Sequence, residues 1–409
     1  MTSPWRLEDA EAHLLSLELF GMRFGLDRMR RLLTALGTPQ ERFEAIHVVG
    51  TNGKSSTVRM CAALLEAHGV RTGAFLSPHL TTFAERIRIG DDDLDGDAFG
   101  AAVQRAAAAA AKVDRTLEGG DRVTQFELVT AAAFSELARR QVEVAVVEAG
   151  LGGRHDATNV LGARVVVLTN VGLEHTRWLG PTVRNIAGEK LAVVKPGATL
   201  VTGELQADVQ ELARATGAEI VPPEPLEAAR ALPGYQATNF AVAAGAARAY
   251  LGALDPVRVA EVAGRIKVPG RMQVVAEDPL TIYDGAHNPS GVEALAAALP
   301  ALAGDRRLVA VVSILDDKDA AGMLRELLGK TGAAVFTSSR NPRALPPATL
   351  ASLAEQLGGP PSEIVPDPRA AVARAQELAG PGGAVIATGS IYLVADLLAD
   401  PERRRASAL

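Results

Sequence analysis

The stretch Gly50-Thr51-Asn52-Gly53-Lys54-Ser55-Ser56-Thr57 constrains this chain more than any other. It follows the apolar run Ile46-His47-Val48-Val49 and leads into a helix-compatible segment beginning near Thr57. Strand, glycine loop and helix in that order suit a nucleoside triphosphate. Glycines let the backbone close around phosphate oxygens, while N–H groups at the helix start point inward. Lys54 then lies on the terminal phosphates, and a hydroxyl after it reaches Mg²⁺. Only Thr51 and Asn52 separate the two glycines, so the loop is shorter than the G-x-x-x-x-G-K-[ST] template. Taken alone, a short glycine loop also serves simply to reverse a chain.

A chain of 409 residues is long for one domain, and two or three are expected. Hydrophobic residues make up 48% and charged residues 22%, as in a protein with large cores, and no apolar stretch approaches a membrane span. The start lacks a basic flank leading into an apolar block, and Cys61 is the only cysteine. A secretory signal and an intrachain disulfide framework are therefore not expected, and the simplest location is cytoplasmic. The net charge of −6 disfavours a broad nucleic-acid surface. Anionic ligands must be held by local clusters of Lys, Arg and backbone N–H, which points to an enzyme acting on small molecules.

Strand-like and helix-like runs alternate throughout, the pattern of an α/β protein with parallel sheets. Strands are expected at Ala45–Val49, Thr72–Leu76, Glu143–Glu148, Arg164–Thr169 and Ala198–Thr202. Helices are expected between them at Thr57–His68, Asp97–Lys112, Gln125–Arg140 and Asn185–Val194, the second carrying the alanine run Ala106–Ala111. Val268-Pro269-Gly270-Arg271 interrupts the pattern. Strands then resume at Thr281–Asp284, Leu308–Ile314, Ala333–Thr337 and Ala384–Thr388, with helices at Val292–Leu302, Ala320–Leu328, Pro347–Leu357 and Arg369–Leu378. The expected organisation is a larger first domain over 1–268, a linker over 269–272 and a smaller domain over 273–409. Ligands in such folds sit beyond the carboxyl ends of strands.

Five further segments fall at such ends or at the junction. Ser77-Pro78-His79-Leu80 with Glu85-Arg86-Ile87-Arg88-Ile89 reads, by itself, as a proline turn and a charged strand. Glu148 ends the apolar run Val144–Val147 and precedes Gly150-Leu151-Gly152-Gly153-Arg154-His155-Asp156-Ala157-Thr158-Asn159. A carboxylate at the end of a buried strand wants a cation, and Mg²⁺ takes oxygen ligands that it shares with phosphate. Glu174-His175 follows the strand Val165–Leu168 in the same way, although a lone His is more often structural. Lys190, on a helix of otherwise apolar residues, reads by default as a surface lysine. Tyr283-Asp284-Gly285-Ala286-His287-Asn288-Pro289 contains an Asp-Gly turn that leaves His287 and Asn288 without a role.

Together these segments resemble the folylpolyglutamate synthases and dihydrofolate synthases of the Mur ligase superfamily. The resemblance runs from Phe20-Gly21-Met22-Arg23-Phe24-Gly25-Leu26 to Gly389-Ser390-Ile391-Tyr392, with six motifs in family order. It implies an N-terminal Mur-ligase-type P-loop ATPase domain and a smaller Rossmann-like C-terminal domain, with the active site between them. Gly50–Thr57 would hold the ATP phosphates, with Lys54 on the γ-phosphate. Ser77 and Glu148 match ligands of a first Mg²⁺. Glu148, His175 and Lys190 surround a second metal, and Lys190 matches a lysine that is carbamylated in the family. Asn239 corresponds to an adenine contact, and Arg271, Asp284 and His287 to further nucleotide contacts. Thr124, Phe126 and Glu127 resemble the segment touching pterin or pteroate, and Phe24, Pro78, His79, Arg86, Arg154 and Asp156 complete the implied folate site. A monovalent cation, K⁺, is also implied, and a monomer is the simplest assembly. Three positions depart from the family pattern: Ser55 for glycine, Glu174 for Asp, and Leu191-Ala192-Val193-Val194 for Ala-Gly-Ile-Ile.

The implied reaction joins ATP, L-glutamate and a reduced folate or dihydropteroate. A substrate carboxylate takes the γ-phosphate to give an acyl phosphate, which the amino group of glutamate then attacks. A muropeptide-type ligase would require a UDP-binding domain, for which the segment before Gly50 is too short. A regulatory nucleotide-binding switch explains the phosphate loop but has no use for Lys190, His287 or a second α/β domain.

Overall fold

The computed structural model describes residues 3–17, 25–223 and 226–399, so Phe24 lies outside the described residues. The chain divides into two compact units, Met1–Ala231 with Thr238–Ile266, and Leu232–Ala237 with Lys267–Leu409.

The first unit is built on β1 (Glu44–Val49), β2 (Thr72–Phe75), β3 (Ile87–Ile89), β4 (Asp92–Asp93), β5 (Val144–Glu148), β6 (Val165–Leu168), β7 (Thr199–Thr202) and β8 (Glu219–Val221). They form one sheet in the order β4-β3-β2-β5-β1-β6-β7-β8. β1 lies at its centre, parallel to β5 on one side and to β6 on the other. β3 runs antiparallel to β2, and β4 to β3. Helices cover both faces of such a sheet, which is why its inner strands are near-continuous apolar runs rather than alternating ones. Every residue of β2, β5 and β6 is buried, as is β1 from Ala45 onward.

The helix after β1 spans Lys54–Ala67 and so begins earlier than the apolar pattern suggests. Gly53, at φ 82°, is its N-cap, and this left-handed turn swings the chain from strand direction into helix within one residue. Cys61 on this helix is fully buried, and burial pushes its thiol up to about 12.

The second unit contains β9 (Gln273–Glu277), β10 (Leu280–Tyr283), β11 (Leu308–Val312), β12 (Ala333–Phe336), β13 (Ser362–Ile364) and β14 (Ala384–Thr388). Their order is β13-β12-β11-β14-β10-β9, parallel except for β9. Successive side chains go to opposite faces. Ala310, Val312, Ala384 and Ile386 thus enter one core, and Val309, Val311, Val385 and Ala387 the other. No helix among the described residues is long and apolar enough to cross a membrane.

His47 is the polar exception inside β1. It is wholly buried, with Nε2 2.8 Å from Thr158 Oγ1. Burial, reinforced by the Lys195 charge, pushes its pKa from 6.5 to about 3. Between those values the unfolded chain binds a proton that the native state refuses. Unfolding free energy therefore falls as pH drops through that window, by up to about 1.4 kcal/mol per pH unit for this group. His47→Gln should flatten the stability profile by that slope between pH 6 and pH 4, as read from urea denaturation. Identical slopes for the two proteins would mean that His47 carries a proton in the folded state.

Candidate functional site

The carboxyl ends of β2, β5, β1 and β6 lie side by side in the first unit and carry Ser77, Glu148, Gly50 and Thr169. The order of the strands reverses at β1, and such a switch point opens a crevice for ligands.

The loop Gly50–Gly53 is pinned from the β6 side. Thr51 N–H donates to Asn170 O at 3.0 Å, and Asn52 N–H to Asn170 Oδ1 at 2.9 Å. Thr169 Oγ1 donates to Asn52 O at 2.7 Å, and Gly172 N–H to Thr51 Oγ1 at 3.0 Å. Both glycines are required by contact. A Cβ on Gly50 would stand 1.9 Å from Thr169 Oγ1, and one on Gly53 2.4 Å from Asn239 Oδ1. Asn239 is thereby brought against the loop from the helix Tyr235–Leu251, with Nδ2 buried and lacking a protein partner.

Two ammonium groups converge on the same carbonyl. Lys54 Nζ donates to Gly50 O at 3.0 Å and to Thr51 O at 3.1 Å, and Lys190 Nζ donates to Gly50 O at 2.8 Å. Lys190 is only 1% exposed, so the default reading as a surface lysine does not hold. Its helix, Val183–Leu191, presents it inward to the phosphate loop. Burial pushes its pKa down to about 8, although Glu174, 2.7 Å away, pulls the other way. Burial alone would raise the Glu174 carboxyl, but Lys190 and Lys54 hold it below its ordinary value. The extra methylene of Glu174 therefore delivers its carboxylate to Lys190. His175, at φ 46°, is exposed and starts the short helix Thr176–Leu179.

Glu148, 1% exposed, accepts from Ser55 Oγ at 3.0 Å and from Ser77 N–H at 3.1 Å. Ser55 is thus the hydroxyl on the carboxylate, whereas Ser56 Oγ and Thr57 Oγ1 are buried in the helix without a protein partner. No cluster of three His, Cys, Asp or Glu groups placed to hold a metal occurs among the described residues. Glu148 with its two serines is the oxygen-rich set next to the loop, which suits an ion that keeps waters and shares phosphate oxygens.

The residues implied for a folate site fall into two kinds. Phe126 covers the glycine turn after Glu148, where a Cβ on Gly150 would lie 2.5 Å from its ring. Arg86 is buried, donates to His79 Nδ1 at 3.0 Å and stacks on Phe83. Burial, then Arg86, holds the His79 pKa well below its ordinary value. Ser77-Pro78 is a cis peptide. The others are bound into the local fold. Thr124 and Glu127 form a reciprocal capping box on the helix Gln125–Arg139, and Glu127 also pairs with Arg28 at 3.2 Å. Arg154, half exposed, pairs with Glu189 at 2.9 Å. Asp156 caps the turn Ala157–Val160 and accepts from Leu151 N–H at 2.8 Å.

In the second unit, Asp284 is fully buried at the end of β10 and accepts from Met272 N–H at 2.8 Å, from Ala286 N–H at 2.9 Å and from the Tyr235 hydroxyl. Burial raises its carboxyl, and Arg271 works against that rise. The Arg271 guanidinium lies over Gly285, where a Cβ would come within 2.1 Å of Nη1. His287 Nδ1 is 2.8 Å from Gly285 O. Asn288 has the role that sequence left open: its Oδ1 accepts from Gly291 N–H at 2.7 Å and caps the helix Pro289–Ala303. Sequence reasoning missed Thr169, Asn170 and Tyr235. Thr169-Asn170 directly after an apolar strand was the available signal for the first two; nothing local marks Tyr235.

Comparison with known proteins agrees with this architecture. Residues 48–204 match the Mur ligase middle domain, and residues 270–391 match the Mur ligase, glutamate ligase domain. The chain is therefore built as a Mur-type ligase. It belongs to the dihydrofolate synthase/folylpolyglutamate synthase family. The Bacillus subtilis dihydrofolate synthase/folylpolyglutamate synthase is 32% identical over 95% of this chain and 98% of that protein. The Mycobacterium tuberculosis folylpolyglutamate synthase complexed with ADP superposes with a TM-score of 0.88 at 31% identity, covering 97% of this chain and 99% of that one. A bifunctional folylpolyglutamate synthase/dihydrofolate synthase from Yersinia pestis, complexed with AMPPNP and Mn ion, gives a TM-score of 0.85 at 28% identity, covering 97% and 99%.

Gly50→Ala tests the loop directly. The new methyl must displace Thr169 Oγ1, which anchors Asn52, and it adds strain at φ 149°. Affinity for a non-hydrolysable ATP analogue should fall about tenfold or more by calorimetry. Unchanged affinity in a folded Gly50→Ala protein would remove the loop from the nucleotide site.

Proposed function

We propose that this chain is an ATP-dependent ligase that adds L-glutamate to folates and also to dihydropteroate. The observation that carries the reading is the meeting of Lys54 and Lys190 at the Gly50 carbonyl, beside Glu148, at adjacent strand ends. Lys54 at a glycine loop suits a polyphosphate, and a second, buried amine at the same carbonyl is a group that a simple nucleotide switch does not need.

An amide does not form directly from a carboxylate and an amine, because a carboxylate oxygen is a poor leaving group. Transfer of the γ-phosphate to the substrate carboxylate gives an acyl phosphate and ADP. The glutamate amine then attacks the acyl carbon, loses its proton and releases phosphate. In this reading the N–H groups at the start of the helix Lys54–Ala67 orient the phosphates, and Lys54 neutralises charge on the transferring group. Lys54 needs little rearrangement, since an arriving phosphate oxygen replaces a loop carbonyl as its acceptor. Glu148, oriented by Ser55 and Ser77, would hold a divalent cation, which would supply positive charge to the transferring phosphoryl group. By family resemblance, Ser77 and Glu148 are assigned to a first metal, and Glu148, His175 and Lys190 to a second. Arg271, Asp284 and His287 are assigned to the nucleotide on the same ground, and Phe126, Pro78, His79 and Arg86 to the pterin or pteroate. Lys190 is assigned a carbamate, supported by the resemblance and by the burial of its amine beside the phosphate loop.

The direct test is product analysis with ATP and glutamate, using dihydropteroate and tetrahydrofolate separately as acceptors. Glutamylated product from both is expected, with ADP formation dependent on acceptor and amine together. Acceptor-independent ATP hydrolysis would overturn the ligase reading. Lys54→Ala should lower turnover by about a thousandfold or more while its melting temperature stays near that of the parent; near-normal turnover would exclude Lys54 from phosphoryl transfer.

Lys190→Ala should lose activity and regain part of it with a short-chain carboxylic acid, which refills an oxygen-ligand position. Lys190→Arg should not be rescued, because arginine fills the space and forms no carbamate. Equal rescue of both variants would exclude the carbamate.

A further inference from the structure

β1 and β5 carry the two halves of the site on neighbouring strands. β1 runs into the phosphate loop, and β5 ends at Glu148 and continues into the glycine turn Gly150–Gly153. That turn also packs on the Lys190 helix: a Cβ on Gly153 would lie 2.7 Å from Glu189 O and 2.9 Å from Lys190 O. Arg154 N–H donates to Glu189 O at 2.9 Å. The turn is therefore the covalent and packing link between Glu148 and Lys190.

One hydrogen-bond chain fastens this turn to β1, and its direction can be worked out. Asp156 as a carboxylate only accepts. It takes Leu151 N–H at 2.8 Å on Oδ2 and Thr158 N–H at 3.0 Å on Oδ1, and the Thr158 hydroxyl donates to Oδ1 as well. With its proton committed, Thr158 Oγ1 can only accept from His47 Nε2, 2.8 Å away. The His47 proton therefore sits on Nε2, and Nδ1 is left as a buried lone pair without a protein partner. Packing alone does not ask for an imidazole here. The flanking Ile46, Val48 and Val49 are fully buried and apolar, and an unpartnered Nδ1 works against stability. What the ring adds is a directional donor.

We propose that His47 is a positioning residue for the ligase reaction, acting through Thr158 and Asp156 to hold the Gly150–Gly153 turn, and with it Glu148 and Lys190, in register with the phosphate loop. The claim rests on the functional reading above for its kinetic consequence but not for its structural one, so two readouts separate them. His47→Leu and Thr158→Val each break the chain while keeping apolar volume. His47→Gln keeps a donor near the place of Nε2. In the product assay the two breaking variants should lose five- to fiftyfold in kcat with KM for ATP within threefold of the parent, and His47→Gln should stay within threefold in both. The double variant His47→Leu/Thr158→Val should be no worse than the poorer single one, because one chain is broken once.

Independently of any activity, amide exchange in the peptide covering 149–156 should quicken at least tenfold in both breaking variants and stay near the parent rate in His47→Gln. Unchanged exchange in folded breaking variants would overturn the proposal, as would losses that multiply in the double variant or a folded His47→Gln no better than His47→Leu. If the parent makes no glutamylated product, the ligase reading fails, and the exchange measurement still decides whether His47 holds the turn.

Discussion

The site depends on how closely one stretch of backbone can approach its neighbours. At Gly50 the chain passes Thr169, and at Gly53 it passes Asn239, with no room for a side-chain carbon at either point. That proximity lets Thr169 and Asn170 hold Asn52 and Thr51 through four directed hydrogen bonds and contacts of the kind a fixed turn requires. A loop fixed from behind has its backbone set before any anion arrives. Electrostatic stabilisation is strongest when its dipoles need no reorganisation. The lysines obey the same logic, being parked on the loop's own carbonyls.

Burial then decides how each charged group behaves. Lys190 keeps an ammonium inside only because Glu174 and the Gly50 carbonyl stand against it. Glu148 is buried, with a serine hydroxyl and a backbone N–H among the groups that orient its carboxylate. Glu127 is the contrasting case, paired with Arg28 and closed into a capping box. Two carboxylates of similar burial thereby serve different places, one at the phosphate loop with Ser55 and Ser77, the other with an arginine at a helix start.

Much of the fold is legible in the sequence because parallel strands covered on both faces must be apolar throughout, as in Val144–Val147 and Leu308–Val312. Helix starts are harder to read, since caps rather than apolar periodicity set them. Gly53 moves the first one forward to Lys54, and Asn288 begins the helix Pro289–Ala303 before its apolar face starts. The helices Tyr235–Leu251 and Pro256–Arg265 went unmarked, although Asp255-Pro256 is a start signal of the ordinary kind. In the site, the phosphate loop and Glu148 stand out locally as strand-end motifs. Lys190, Thr169 and Tyr235 do not, because their roles come from neighbours far along the chain. A lysine on a helix looks solvated until the opposite carbonyl is known.

The burial of Cys61 has a consequence outside the chemistry of the site. The chain's single sulfhydryl is on the helix that carries the phosphate loop, sealed from solvent and with its thiolate strongly disfavoured. Nucleophilic sulfur chemistry runs through the thiolate. The folded protein therefore presents no reactive thiol to alkylating or oxidising agents. Any cysteine introduced at the surface would be, for a thiol-directed label, the only one the native molecule offers.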